Sequence, residues 1–499
     1  MDINTAKQTL DELERRQYAY RHAMSIIMND ASTVAPPESY EPRGVAVGIL
    51  AGEEFQLSTS KEMQDAVSYL YDHKEEAGEE YWRRAELLRE NLRKLNVIPV
   101  EEYVAYQQLM SDANFAWRKA KKENDFPAFA PFIEKIVATQ KHFAELTDPG
   151  KDPYDVALDA HEEGTDTAYY DRFFDEIKTV LIPLIAKIQE KERPDDSWLK
   201  GSFSVAKQRR MSDTVMDAFL LDRNHCSLGE TEHPYTSGTS SKDVRLTTHY
   251  YEHDPIASIY SVIHEGGHAN YELHVDPRYD YNCLGGGASM AMHESQSRFW
   301  ENYVGKSKGF ITWLWPRFAK LFPRQTAGHT AEEFYRCINL AEPSLVRTEA
   351  DELTYSLHIL IRYEIEKDLF AGRLAVNDIP AAWNRKYKEY MGLDVPNDTR
   401  GCLQDVHWSQ GSFGYFPTYS LGTAYSAQIL HQMRKELPFD DLVSEDNLQP
   451  IMDWLTQRIY RFGSLKKPGT YVPEITGEPF TAKYYTDYLT DKYSALYDL

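Results

Sequence analysis

Two histidines and a glutamate at His264-Glu265-Gly266-Gly267-His268 carry the sharpest chemical signal in the chain. On a helix, residues four apart face the same way, one turn higher. Two imidazoles so placed can grip one divalent cation. Glu265, beside the first of them, can take a proton from a water activated by that cation. The chemistry implied is hydrolysis at an HExxH site. Pro255 suits a helix start, and Ser258, Ile259, Ser261, Val262 and Ile263 lead into the motif. Each glycine costs ~1 kcal/mol relative to alanine inside a helix. The pair therefore implies that a substrate or another backbone comes close; the plainer alternative is tight helix packing.

A catalytic zinc site needs a third protein ligand and an open position for water. His274 is one candidate, six residues past His268. The HExxHxxGxxH pattern that would use it needs a glycine where Tyr271 stands, because the helix must turn there. Without that turn, six residues rotate the chain by ~600° and carry His274 to another face. Glu294 is the other candidate and the favoured one. It lies 26 residues beyond His268, past a polar loop broken by Gly285-Gly286-Gly287 and inside the helical run Ala288–Trp300. Two helices joined by such a loop can lie antiparallel and bring Glu294 to the histidine pair.

The elements that must position these groups are mostly helices. The chain has 499 residues, 42% hydrophobic and 13% aromatic, enough for two to four lobes or one large helical body with a cleft. A capping box at Thr5 and Gln8 opens an amphipathic helix through Leu10, Leu13, Tyr20, Met24 and Ile27. A loop around Pro36, Pro37 and Pro42 follows, then helical patterns over about 60–95, 99–122, 126–147 and 165–192. The texture changes near residue 224. Ser, Thr and Gly cluster at 236–242, and Asp243–Thr248 alternates and is β-branched, which predicts one or two short strands joined by a turn. An exposed edge of this strand can hold an extended peptide; a purely structural hairpin is the alternative. The composition shift makes residue 224 the best candidate boundary, between an N-terminal helical region, 1–223, and a region 224–499 with the small sheet, the metal site and C-terminal helices.

The formal net charge of −23 opposes binding to nucleic acid or anionic lipid. The four cysteines, Cys226, Cys283, Cys337 and Cys402, form no CxxC, which argues against a disulfide scaffold or a thiolate metal site. There is no basic-apolar signal segment and no apolar run near the ~20 residues of a membrane span. The expectation is a reduced, cytoplasmic protein.

With His293-Glu294-Ser295-Gln296-Ser297 following HExxH, the chain resembles the carboxypeptidase Taq family, the M32 metallocarboxypeptidases. Further signatures of that family follow its order along the chain. Asp243-Val244-Arg245-Leu246-Thr247 fits DxRxT, Val346–Asp351 fits the RxxAD motif, and Gly401–Trp408 fits GxxQDxHW. His233-Pro234-Tyr235 stands where the family usually has His-Pro-Phe, and Val346 where it often has Ile or Asn. The resemblance implies one continuous unit, a mainly α-helical body with a deep active-site groove, part of its wall formed by 1–223, and a small β-sheet beside the HExxH helix. It implies a homodimer with one divalent metal per subunit, zinc with cobalt or manganese able to substitute. It implies removal of C-terminal residues from peptides with a free C-terminus, with broad specificity and proline disfavoured.

The roles that follow are expectations. His264, His268 and Glu294 bind the metal, and Glu265 is the general base. His407 and a tyrosine, Tyr419 or Tyr415, face the developing oxyanion. An arginine fork suits a terminal carboxylate, with Arg347 first and Arg245 second. His233, Gln404 and Tyr415 contact substrate. Asp351 and Asp405 orient a ligand histidine or His407, or act as helix caps. A helical metallo-endopeptidase is the alternative enzyme; a peptide-binding scaffold with a non-catalytic metal is the alternative outside enzymes.

Overall fold

A computed structural model describes the backbone of residues 1–499 and the side chains of all but Pro37. The first helix, α1 (Ile3–Thr33), starts one turn earlier than the Thr5–Gln8 capping box predicts. Asp2 is the cap and accepts from the backbone N–H groups of Asn4 and Thr5. An ionised carboxylate suits the positive end of the helix better than a hydroxyl. Thr5 donates to Asp2 instead, and Gln8 turns to Glu12. The proline-rich stretch is only partly loop, because Pro42 lies in the first turn of α2 (Tyr40–Ser58), where its missing N–H is not needed.

The pattern over 60–95 is broken at His73, between α3 (Lys61–Asp72) and α4 (Lys74–Val97), and again by a kink in α4 at Gly78. Then come α5 (Val100–Glu123), α6 (Phe126–Thr147) and α8 (Thr167–Gln189), close to the predicted spans, with the unpredicted α7 (Pro153–His161) between α6 and α8. On α8, Tyr170, Phe173, Phe174, Ile177, Leu181, Leu184, Ile185 and Ile188 are buried, one stripe at helical spacing. Each fully buried large side chain stabilises the fold by ~1.5–3 kcal/mol before entropy is counted.

After α9 (Val205–Ala218) the chain forms three strands. These are β1 (Cys226–Glu230), β2 (Thr236–Ser240) and β3 (Asp243–Thr248), in the order β1-β3-β2. The predicted hairpin is β2–β3; β1, which the sequence reading missed, pairs parallel to β3. β3 is therefore central, and it cannot offer a free edge to a peptide. β2 is an outer strand.

α10 (Pro255–Leu273) packs against β2 and β3 and carries the HExxH motif. α11 (Met290–Arg298) runs directly into a π-helical turn, Phe299–Gly305. The rest is helical: α12 (Lys308–Leu321), α13 (Ala331–Ile338), α14 (Tyr355–Phe370), α15 (Ile379–Met391), α16 (Phe416–Glu436), α17 (Phe439–Ser444), α18 (Gln449–Arg458), α19 (Pro468–Thr476) and α20 (Lys483–Tyr497). The large core draws buried residues from Ala113 to Tyr497, and a smaller one joins α1, α3 and α4. Among the described residues no helix is long and apolar enough to cross a membrane, and all four cysteines are free.

Candidate metal centre

α10 begins at Asp254, whose side chain accepts from the N–H groups of Ile256 and Ala257, with Pro255 in the first turn. Three turns on, the two glycines of the motif meet other chain segments. A Cβ on Gly267 would stand 2.6 Å from Ser297 Cα and 2.8 Å from Gln296 O, so the backbone of α11 lies directly on α10. On the far side of α11, a Cβ on Gly422 of α16 would stand 2.5 Å from Ala291 O and 2.9 Å from Glu294 Cβ. Glycine on both sides lets α11 sit between α10 and α16 at backbone contact, and this brings Glu294 to the histidines.

His264, His268 and Glu294 offer three ligand atoms within 4.8 Å of one another. Glu294 Oε2 is 3.7 Å from His264 Nε2 and 3.6 Å from His268 Nε2. Ligand atoms ~2.0–2.2 Å from a tetrahedral ion stand about 3.3–3.5 Å apart, so this His₂Glu set fits a divalent cation. His274 is not brought to it. It caps the C-terminal end of α10, and its Nδ1 bonds Asn270 O at 2.8 Å.

Each histidine is held from behind, as ligand histidines are in metal sites. His264 Nδ1 meets Glu301 Oε2 at 2.9 Å. His268 Nδ1 meets His293 Nδ1 at 2.7 Å, and His293 Nε2 meets Glu272 Oε1 at 2.7 Å. With His268 Nδ1–H donating to His293, and His293 Nε2–H donating to Glu272, both Nε2 atoms of the pair keep a free lone pair. Burial works against charge on His264, but Glu294 and Glu301 outweigh it, and its pKa lies above the ordinary histidine value. At His268 burial prevails and the pKa lies below it. Burial opposes ionisation of Glu294, yet Arg298 and His264 hold it far below the usual carboxylate range. Glu265 is nearly buried, and Thr236 on β2 donates to its Oε2 at 2.6 Å.

These groups line one groove of about 720 Å³, which also receives Arg347, Tyr355, Tyr415 and Tyr419. Arg347 lies in a buried charge network. Its Nε donates to Asp405 Oδ1 at 2.9 Å, and its Nη1 to the Tyr355 hydroxyl at 3.0 Å. Arg362, fully buried, donates to Asp405 Oδ2 at 2.7 Å. Burial disfavours the Asp405 charge, but the two guanidinium groups hold its carboxyl well below the usual range.

Several expected roles change. Asp405 holds Arg347 and Arg362, not a histidine ligand. Gln404 accepts from the Arg347 N–H at 2.9 Å and from Arg362 at 2.8 Å, so it braces the arginine and does not face the groove. For Asp351 the second of the two expected readings fits, a cap: it accepts from the N–H groups of Leu353 and Thr354 and from the Thr354 hydroxyl, just before α14. Arg245 pairs with Asp243 two residues back on β3 and does not reach the groove. His233 is exposed, while its neighbours Pro234 and Tyr235 line the groove mouth. His407 stands behind Tyr419, 3.3 Å from its hydroxyl, and not at the groove wall. Burial, helped by Arg347 and Arg362 against Asp405, takes its pKa down to about 4, so it is neutral at pH 7.

Glu272, His293, Arg298, Glu301, Thr236 and Tyr355 are the groups that the sequence reading left without a role. Two of the rows were visible. His264, His268 and Glu272 follow i, i+4, i+8 on α10, and Glu294, Arg298 and Glu301 follow i, i+4, i+7 from α11 into the π-helical turn after it.

The family model of the carboxypeptidase Taq (M32) metallopeptidases matches residues 9–493. The chain belongs to that family. It is a metallocarboxypeptidase, a peptide hydrolase. Carboxypeptidase 1 of Bacillus subtilis (strain 168) is 38% identical to this M32 chain over 499 residues, covering 100% of both. Among solved structures, the M32 carboxypeptidase from Deinococcus radiodurans R1 superposes with a TM-score of 0.96 at 32% identity, covering 99% of this chain and 100% of that one. The Pyrococcus furiosus carboxypeptidase, in a structure described as apo-Mg, superposes with a TM-score of 0.95 at 33% identity, covering 99% of each. A large helical body with a three-stranded sheet beside the HExxH helix is thus the family architecture.

Proposed function

We propose that this M32 carboxypeptidase removes single residues from the free C-terminus of peptides, with His264, His268 and Glu294 holding one divalent cation and Glu265 acting as general base. The observation that carries the reading is that one groove holds both the His₂Glu set and Arg347. A cation bound there would supply Lewis acidity, making a water a stronger acid and polarising the scissile carbonyl.

The chain's own residues account for the rest. Glu265 keeps Oε1 free while Thr236 occupies Oε2, so one oxygen is available to accept a proton from water and pass it to the leaving amine. Arg347 has two of its three nitrogens committed to Asp405 and Tyr355, and Nη2 remains to meet a terminal carboxylate. The carboxylate of Asp405 neutralises only one of the two guanidinium groups it touches, which leaves one positive charge for the substrate. Tyr419, with neutral His407 behind it, is the group we assign to the developing oxyanion, and Tyr415 stands beside it with ring centroids 5.1 Å apart.

The family resemblance supports zinc as the metal, with cobalt or manganese substituting. It also supports broad specificity that disfavours proline, a homodimer and a cytoplasmic setting. The test of the carboxylate role is Arg347→Ala on matched peptides. Cleavage of the free-ended peptide is expected to fall ~10²–10³-fold, the loss typical of removing one partner of a buried charge pair. Any residual cleavage of the C-terminally amidated peptide should barely change. An equal fall on both would take the terminal-carboxylate role away from Arg347.

A further inference from the structure

We propose that Arg298 is the positioning residue of the metal centre: it turns a single oxygen of Glu294 toward the cation and ties that ligand to the carboxylate that holds His264. The proposal rests on the reading of His264, His268 and Glu294 as the metal ligands.

The geometry divides the two oxygens of Glu294. Oε2 faces both histidine Nε2 atoms and accepts from Ser297 Oγ at 3.1 Å. Oε1 accepts from Arg298 Nε at 2.7 Å. A carboxylate with one oxygen engaged by a guanidinium cannot swing to offer both to a cation, and the remaining position stays open for water. The same guanidinium reaches on, with Nη1 donating to Glu301 Oε2 at 3.1 Å, the oxygen that meets His264 Nδ1. The other Glu301 oxygen is taken by Lys306 Nζ at 2.7 Å. The π-helical turn that starts at Phe299 carries Glu301. Arg298 therefore links two of the three ligands, one directly and one through Glu301. It is itself fixed, because its guanidinium lies over the Tyr355 ring at 4.5 Å from the centroid, and the Tyr355 hydroxyl accepts from Arg347.

A mere charge role and a positioning role predict opposite outcomes. Removing a cation beside Glu294 should strengthen cation binding if only Coulomb attraction matters. If Arg298 orients the ligand, binding should weaken, by the 10–100-fold typical of partners that hold metal ligands. The experiment is competition for zinc between the stripped full-length protein and a chromophoric chelator, for wild type, Glu294→Ala, Arg298→Gln and Arg298→Lys. Thermal unfolding is followed alongside.

Glu294→Ala is expected to lose affinity most, Arg298→Gln 10–100-fold, and Arg298→Lys an intermediate amount, since lysine keeps the charge but cannot serve both carboxylates. At saturating zinc the KM for peptide should stay within about twofold of wild type while kcat falls. Zinc affinity unchanged or tighter in Arg298→Gln, with Glu294→Ala impaired, would overturn the proposal; a rise in KM alone would make Arg298 a substrate contact. If Arg298→Gln does not fold, the lysine variant decides by the same criterion. Wild type and Glu294→Ala binding zinc equally would instead overturn the ligand assignment itself.

Discussion

The two ends of the groove are built from the same materials with opposite surpluses. Around the metal centre, Glu265, Glu272, Glu294 and Glu301 stand against Arg298 and Lys306, an excess of two negative formal charges. At the other end, Arg347 and Arg362 share Asp405, an excess of one positive charge. Burying an unbalanced charge is expensive unless something pairs with it. The first surplus suits a divalent cation and the second a monovalent carboxylate. The groove is therefore complementary to a cation and to a peptide end before either arrives, and Tyr355, touching both Arg298 and Arg347, lies where the two networks meet.

The metal end can be disarmed alone by Glu265→Gln. The variant should keep its zinc and lose ~10²–10⁴-fold in kcat, with KM little changed, as expected for loss of a general base. Metal analysis together with steady-state kinetics checks it; zinc loss would mean that Glu265 belongs to the ligand set.

The arginine end is broken by Asp405→Asn, which leaves two buried guanidinium groups without their counter-ion. A loss of about 3–5 kcal/mol at pH 7 is expected, the usual cost of breaking a buried pair. The folded pKa of Asp405 is depressed, so its contribution exists above the ordinary carboxylate value and disappears as pH falls below it. The gap between wild type and variant in denaturant titrations should therefore narrow below about pH 4. A pH-independent gap would contradict the shared-carboxylate account.

Gly267→Ala probes how the metal end is assembled. Its new methyl would collide with the α11 backbone, and overpacking of this kind costs ~1–3 kcal/mol. Zinc affinity should fall with stability, because Glu294 moves with α11. If stability falls and affinity does not, the helix contact and the ligand geometry are independent.

A comparable effect, confined to one pH range, concerns Glu162, which is buried and accepts from Ser289 Oγ and the Ala291 N–H at the start of α11. Burial pushes its pKa up to about 7. A raised folded value means that this group's contribution is full below the ordinary glutamate range and is lost as pH rises through 7. Glu162→Gln should flatten that part of the stability–pH curve, by on the order of 1–3 kcal/mol. An unchanged curve would place the titration elsewhere.

What the sequence made legible followed from local spacing. His264 and His268 four apart, Glu294 after a glycine break, and the apolar stripe of α8 are short-range patterns, and the structure brings the first three together. Contacts made across the fold were not legible. Asp405 meets Arg362 from 43 residues away, and β1 finds β3 across an intervening strand. Arg347 and Arg245 both stand in motifs and rank first and second for the carboxylate, but the reason for the order is spatial: Arg245 is satisfied by its neighbour Asp243, and Arg347 is aimed into the groove by Asp405 and Tyr355. The glycines of HExxH illustrate both cases: close approach was implied by their cost in a helix, but that the approaching partner is α11 needed the structure.

The most direct measurement is a mass-spectrometric time course on one peptide with distinct residues throughout, free or amidated at its C-terminus, with metal-stripped and zinc-restored protein. The expected result is a zinc-dependent ladder shortened one residue at a time from the free C-terminus and almost nothing from the amidated peptide. An internal cut, or equal cleavage of both peptides, would contradict it.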